Sequence, residues 1–443
     1  MQRAAMAAKS PTPVRTVTLP DGTVEMHFVV RVPPRERISS TMTFERDVQS
    51  ATAKIGLALM EYGLAAFDTE GEVLHGGGPR LTSKGLQSET CQTSFGEVTL
   101  SRHVYQPPAG GKTYVPLEDR ARIIGLSTPL FASSIAAKYS GAGGRAVQRD
   151  LREHHAREVS LAFIQALAAE TAKVVMARED RWTCTPVTPP DQAAVIALGY
   201  DGTCAQTCGE GWKQVMVGTM TLYDSGGEPL ETLHVANAPE DGKATFLSRM
   251  DREVAALKTR YPDALWVGVS DGATDLRAEL GRHCGQLILD FWHAAGYIVS
   301  AAPAMTAGTA ARGGVKAPQW IEQALHRLKT EDGGASKLLA EMERQLDNGP
   351  VLTGTERADL SRAAGYFANN LDRMDYAAAV RERLPIGSGI TEAACKTIVK
   401  ARLCGGGMRW HLGSMQQVLS LRALRRSSNR WDQFWTRLDR HGF

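Results

Sequence analysis

Two short apolar runs, each ending on an aspartate, constrain this chain more than any other feature. Within residues 264–293, ALWVGVSDGATDLRAELGRHCGQLILDFWH, the run 265–269 gives way to Asp271 and Gly272. A short helical pattern fills 274–283, a second run at 286–289 stops on Asp290, and Trp292 and His293 follow. Continuous apolar runs of this length fit strands buried on both faces, so the sheet they join must be covered on both sides. Open α/β sheets gather ligands and chemistry beyond the C-terminal ends of their strands. Asp271 and Asp290 are therefore expected at such an edge.

The preceding segment supplies a third acid. The run 193–200 ends on Asp201; runs 213–223 and 229–235 follow, joined through Asp224-Ser225-Gly226-Gly227. Connections this short allow only an antiparallel meander. A helix over 243–260, with Phe246, Met250, Val254, Leu257 and Tyr261 on one stripe, then leads into the strand ending at Asp271. A strand entered through a helix lies parallel to the strand it joins, so Asp201 and Asp271 should stand side by side although 70 residues separate them.

Elsewhere the pattern is mostly helical. A hairpin is expected around Asp21-Gly22, and a helix over 44–67 with Val48, Ala51, Ile55, Leu59 and Tyr62 as its apolar stripe. Two strands, 82–93 and 98–105, flank Phe95-Gly96-Glu97. Helices over 129–139, 145–155 and from Leu161, with Ser160 as cap, form a cluster compatible with a helix-turn-helix DNA reader, although small helical clusters also occur without DNA. The stretch 183–190, TCTPVTPP, reads as a linker, and 301–318 as an Ala/Gly/Thr-rich link. Amphipathic helices follow over 320–328, 337–346 and 360–374. A last one over 390–403 opens at the glycine-rich 385–389, with Ser388 able to cap it, and carries Glu392.

Size and charge bound the function. A chain of 443 residues exceeds one ordinary core, and 43% apolar with 22% charged residues is the balance of a soluble globular protein. No stretch is long and apolar enough to span a bilayer, and MQRAAMAAKS lacks the apolar centre of a signal peptide, so a cytoplasmic protein without a membrane partner is expected. Seven cysteines without C-x-x-C pairs fit reduced thiols. Residues 381–443 carry 12 Lys/Arg against 4 Asp/Glu, and residues 1–37 carry 6 against 3, which leaves the middle acidic. Basic ends around an acidic middle suit a polyanion held over a metal-binding centre; a solvated basic tail is the other reading. Arg402, Arg409, Arg422, Arg425, Arg426 and Arg430 are the expected DNA-binding residues of this segment.

Carboxylates brought together at adjacent strand ends repel, and divalent cations relieve that cost. Asp201, Asp271 and Glu392 could form a hard-oxygen site for two Mg²⁺ ions, with Mn²⁺ as substitute, in phosphodiester chemistry. Each acid also has a plain structural reading: Asp201-Gly202 and Asp271-Gly272 as turns, Glu392 with Lys396 as an i,i+4 surface pair. Asp290 and His293 form an accessory Asp-x-x-His element, or a structural helix start.

The runs GYDGT at 199, VSDGA at 269, DFWHA at 290, PIGSGITEAACK at 385, GGMRW at 406 and RWDQFW at 430 resemble the DDE transposases of bacterial insertion sequences in the Mutator-like supergroup, of the Kra type. The similarity spans roughly residues 80–435 and is most specific over 369–410. The resemblance implies an α/β, RNase H-like mixed sheet with an all-α insertion, preceded by a mainly helical DNA-binding region. It implies Asp201, Asp271 and Glu392 as the catalytic, metal-binding triad and Asp290 with His293 as the family's (Cys/Asp)-x-x-His element. The expected parts are an N-terminal α+β region at 1–125, a helix-turn-helix-like domain at 126–182, the catalytic core at 190–300, a helical insertion at 301–384, and the Glu helix with the basic segment at 385–443. Many relatives carry a cysteine-paired zinc ribbon near residue 105, where this chain has Pro107, Pro108, Gly110 and Gly111. The implied activity is Mg²⁺-dependent cleavage at transposon ends and strand transfer into target double-stranded DNA, by a homo-oligomer assembled on DNA at the nucleoid. A domesticated DNA-binding protein and an RNase H-like nuclease without strand transfer are the competing readings.

Overall fold

A computed structural model describes residues 15–75, 80–272, 274–307 and 315–442. The chain forms two compact units, one of residues 1–177 with 432–443 and one of residues 178–431. Among the described residues no helix is long and apolar enough to cross a membrane.

The first unit begins with the hairpin β1 (Arg15–Thr18) and β2 (Val24–His27), whose turn is closed by the Thr23 N–H donating to Asp21 Oδ1 at 2.9 Å. Helix α1 (Thr41–Ala65) is capped by the Ser40 hydroxyl and packs on the antiparallel pair β3 (Thr82–Gln92) and β4 (Glu97–Gln106). Its buried face is not the expected stripe. Val48, Leu59 and Tyr62 are exposed, whereas Gly56 and Leu64 are buried. The reason is a close approach: a Cβ on Gly56 would run into the Phe95 ring, so this glycine face is the one that can seat against the β3–β4 turn.

Helices α2 (Pro116–Arg120), α3 (Pro129–Gly141), α4 (Gly144–His155) and α5 (Leu161–Glu179) follow, with Ser160 accepting from the Phe163 N–H at 3.1 Å at the start of α5. Buried Arg157 ties this cluster to the hairpin, donating to Thr93 O and Gln92 Oε1 at 2.6 Å each.

The second unit is a mixed α/β structure. Strands β5 (Val195–Thr207), β6 (Gly211–Tyr223) and β7 (Pro229–Asn237) form the antiparallel meander, helix α6 (Ala244–Arg260) crosses over, and β8 (Leu265–Ser270) runs parallel to β5. Helix α7 (Thr274–Gly281) leads to β9 (Gln286–Leu289), parallel to β8, giving the order β7-β6-β5-β8-β9. Alternate side chains feed two cores. Ile196, Leu198 and Tyr200 meet Phe246, Met250 and Leu257 of α6, while Val195, Ala197, Val267 and Val269 belong to the core that the later helices cover. The apolar runs read from sequence are thus strands buried on both faces.

Those covering helices are α8 (Phe291–Met305), α9 (Ala317–Thr330), α10 (Gly334–Asn348), α11 (Gly354–Asn370) and α12 (Tyr376–Arg381). The expected link at 301–318 is shorter than its composition suggests, because α8 continues to Met305; residues 308–314 lie outside the described residues. The chain returns through α13 (Gly389–Ala394), a π-helical stretch Cys395–Lys400 and α14 (Ala401–Leu403), then α15 (Leu412–Arg426) and α16 (Arg430–His441). The expected linker at 183–190 is held in place: the Cys184 N–H donates to buried Glu253 at 3.2 Å, and the Thr188 hydroxyl to buried Glu231 at 2.9 Å.

Candidate active site

Strand register fixes the first two carboxylates. The last β5–β8 pair is Gly199 with Val269, and each chain reaches its aspartate two residues later, so Asp201 and Asp271 stand at equal height. Asp271 follows the end of β8, but Asp201, expected at a strand end, lies within β5, which runs on to Thr207 and pairs Asp201 with Val217 of β6. Asp290 follows β9 at the same edge, its N–H donating to Ser270 O at 2.8 Å. Glu392 arrives on the first turn of α13, which passes directly over β5. Thr391 sits so close to Gly199 that a Cβ there has no room, and its hydroxyl lies 2.7 Å from that of Thr219 on β6.

Asp201, Asp271 and Glu392 line one cavity of about 230 Å³, together with His293, Lys396 and Lys400. Burial raises the Asp201 pKa; the Cys395 thiol and the Gly202 N–H, at 2.6 Å, oppose this by donating to the carboxylate, and Asp271 and Glu392 add to the rise. Cys395 itself stays protonated, held there by burial and by the Asp201 charge. Asp271 is steadied through its backbone, whose carbonyl accepts from the Tyr366 hydroxyl at 2.9 Å.

Asp290 plays a different part from the other acids. It is fully buried, and both of its oxygens are occupied: Oδ1 accepts from the His293 N–H at 2.7 Å and from His293 Nδ1 at 3.1 Å, Oδ2 from the Ser388 N–H and from the Ser388 hydroxyl at 2.7 Å. Burial pushes its pKa up, but the donors from Ser388 and His293 outweigh this and hold the carboxyl below its usual range. Ser388 Oγ also lies 3.1 Å from Glu392 Oε1. Ser388 was expected to cap α13; instead its side chain joins the Asp290 carboxylate to the Glu392 carboxylate, and no side-chain cap forms.

Among the described residues, Asp290, His293 and Glu392 are the group that brings three potential ligand atoms within 4.8 Å of one another. Since Asp290 is saturated with hydrogen bonds, this group reads as a clamp. The three acids of the cavity offer only oxygen donors, and Asp271 and Glu392 both oppose ionisation of Asp201, a repulsion that a hard divalent cation would relieve.

The basic residues divide. Arg402, Arg422 and Arg430, expected on a DNA-facing surface, are buried and are corrected to structural roles. Arg422 donates to Ile398 O at 2.6 Å and to Thr397 O, satisfying carbonyls of the π-helical stretch, and burial lowers its pKa to about 10. Arg430 is paired with buried Glu253, and the Arg402 guanidinium lies 5.2 Å over the Trp410 ring. Arg409, Arg425 and Arg426 are exposed.

One basic surface escaped the sequence reading. Helix α4 buries Gly144, Val147 and Leu151 and exposes Arg145, Arg149 and Arg152, spaced i, i+4, i+7 on one stripe. That periodicity was available in the sequence. The exposed side of α5, the last helix of the same cluster, carries Gln165, Glu170 and Lys173 instead. Comparison with known proteins adds nothing to this geometry: no protein-family profile matches the chain, and no curated protein matches it significantly.

Proposed function

We propose that this chain is a DNA-processing phosphotransferase of the DDE transposase type, built on an RNase H-like sheet. The observation that carries the reading is the meeting of Asp201, Asp271 and Glu392 in one cavity, one from within β5, one from just past the end of the adjacent parallel strand β8, and one from a crossing helix. The strand order, three antiparallel then two parallel, and the helices at 317–381 between the second Asp and the Glu support it. These are the features the sequence resemblance implies.

In this reading the three carboxylates hold Mg²⁺, which when bound supplies Lewis-acid activation of the attacking and leaving oxygens of a phosphodiester. The protein's own groups do the rest. Lys396 and Lys400 give the cavity wall two ammonium groups for the phosphate, and Asp290 with Ser388 fixes the start of the helix that carries Glu392. Arg409, Arg425, Arg426 and the α4 stripe offer duplex DNA a sequence-independent grip.

Purified protein incubated with Mg²⁺ and DNA carrying the sequences that flank its gene should nick at the element ends and join the freed 3′-hydroxyl to a target plasmid. Asp271→Asn keeps size but loses charge, so DNA binding should persist while cleavage falls at least ~100-fold, the scale on which single groups act in such sites. Comparable cleavage by the Asn variant would sink the assignment; cleavage without joining would redirect it to a nuclease.

A further inference from the structure

The carboxylate cavity does not end at Glu392. On its other side a second, more open cleft of about 490 Å³ shares His293 and Glu392 with it, and its wall is Trp292. That volume falls in the ~300–1,000 Å³ range of small-ligand sites. Trp292 is 68% exposed, on the first turn of α8, while its neighbours Phe291 and Ala294 are buried. A single exposed ring is ordinary on a protein surface; what sets Trp292 apart is that it walls a cleft continuous with the carboxylate cavity.

The local sequence keeps this indole both fixed and uncovered. Its edge packs on Phe291 at 5.3 Å between centroids, and Gly387 lies against the pyrrole side, where a Cβ would be 3.3 Å from Cδ1. One turn further along α8, at the position that would cover the ring, stands Gly296, around whose missing Cβ there is open space. A glycine inside a helix costs stability, so its presence where a larger residue would fill the cleft argues that the space is used.

We propose that this cleft receives one unpaired nucleobase of the DNA, stacked on Trp292, while the adjoining phosphate lies in the carboxylate cavity. The claim rests on the DNA-processing reading above and deepens it by naming the substrate form: DNA distorted so that a base beside the scissile phosphate leaves the helix. The chemistry suits this occupant. A base has an apolar face for the indole and a polar edge for His293 and Ser300, and every base has a face to stack, so the contact tolerates any sequence. The Lys396 and Lys400 ammonium groups in the adjoining cavity complement the phosphate attached to that base.

The test uses the full-length protein, without divalent cation, and two duplex oligonucleotides that differ only in whether one 2-aminopurine is paired or unpaired opposite an abasic site. Wild type should bind the unpaired form more tightly and quench its fluorescence by stacking. Trp292→Ala should lower affinity for the unpaired form about tenfold and abolish the quenching, with the paired duplex unaffected. Trp292→Phe should retain most of both. Gly296→Leu, a change that favours the helix and therefore should fold, should mimic Trp292→Ala by filling the cleft. If Trp292→Ala loses affinity equally for both duplexes, or still quenches, the base shelf is wrong while the DNA reading stands. Wild-type protein that binds neither duplex overturns both.

Discussion

Thr391 lies against Gly199 so closely that a Cβ at 199 has no space, and this contact sets the height of Glu392 above the strand that carries Asp201. A helix that crosses a sheet can bring its acid down to a carboxylate on the strand only if the strand surface is flat beneath it. Gly199 provides that flatness.

Gly199→Ala should therefore lift α13, costing ~1–3 kcal/mol as an overpacked contact and lowering DNA cleavage by more than that loss of folding explains. Thr391→Ala, which removes the nearest atom, should restore part of both when added to it. The readout is a double-mutant cycle in thermal stability and cleavage rate. Additive effects would mean that the two residues do not set each other's position.

The basic C-terminal segment should separate into two kinds of arginine. Arg422→Ala leaves buried carbonyls of the π-helical stretch without their donor, so it should destabilise by ~1–3 kcal/mol or more and abolish activity through folding. Replacing exposed Arg409, Arg425 and Arg426 together should leave the melting temperature nearly unchanged, weaken binding to all duplexes alike, and flatten the slope of log affinity against log salt by up to about 3 units. The same experiment on Arg145, Arg149 and Arg152 tests the α4 surface. An unchanged salt slope in either triple variant would show that those arginines do not meet phosphate.

Sequence alone was enough for features that local pattern controls. Asp271 and Asp290 could be placed at one edge, and Asp201 beside Asp271, because uninterrupted apolar runs report burial on both faces and a crossover through a helix forces parallel pairing. That β5 runs on past Asp201 to Thr207 was not legible, since the apolar run stops at the acid. What depends on residues far apart in the chain could not be read. The role of Asp290 is decided by Ser388, 98 positions away, and the role of Arg422 by a π-helical stretch whose carbonyls it reaches 24 and 25 positions back. Arg422, Arg425 and Arg426 look alike in a charge count, yet α15 packs the first into the protein and leaves the other two in water. For α1 the expected stripe stays largely in water, because the seat is chosen by the approach of Gly56 to Phe95, a residue outside the helix.

His234 on β7 gives the second unit a stability signal at mild acid pH. Burial, reinforced by the Arg426 and Arg430 charges, lowers its pKa to about 4 from 6.5, and its Nδ1 is buried without a hydrogen-bond partner. Between those two values the unfolded chain binds the proton and the folded one does not, so stability falls as pH drops through that window and is fully present only above it. By pH 5 this group should have removed about 2 kcal/mol. His234→Gln should reduce the loss of melting temperature between pH 7 and pH 5; equal losses in both proteins would assign the acid sensitivity to other groups.

Asp201 has the opposite sign. Its carboxyl is raised by burial and by Asp271 and Glu392, so the folded chain binds this proton more readily than the unfolded one does. The contribution of this group to stability is therefore greatest at low pH, declines as pH rises from the unfolded value of 3.8 through the higher folded value, and at pH 7 carries the full cost of ionising Asp201 beside Asp271 and Glu392. Without divalent cation, Asp201→Asn should melt above wild type at neutral pH, because it removes one of the repelling charges while Asn still accepts from Cys395 and Gly202. Mg²⁺ should reverse the order. A ligand that binds only the folded state adds about 2.7 kcal/mol at 100 times its Kd, and wild type should gain this while the Asn variant gains little. The crossing of the two melting temperatures across a Mg²⁺ titration separates a site whose charges await a cation from one already neutralised by the protein. An Asn variant that melts below wild type in EDTA, or that gains as much from Mg²⁺, would show that Asp201 is a structural acid and remove it from the proposed centre.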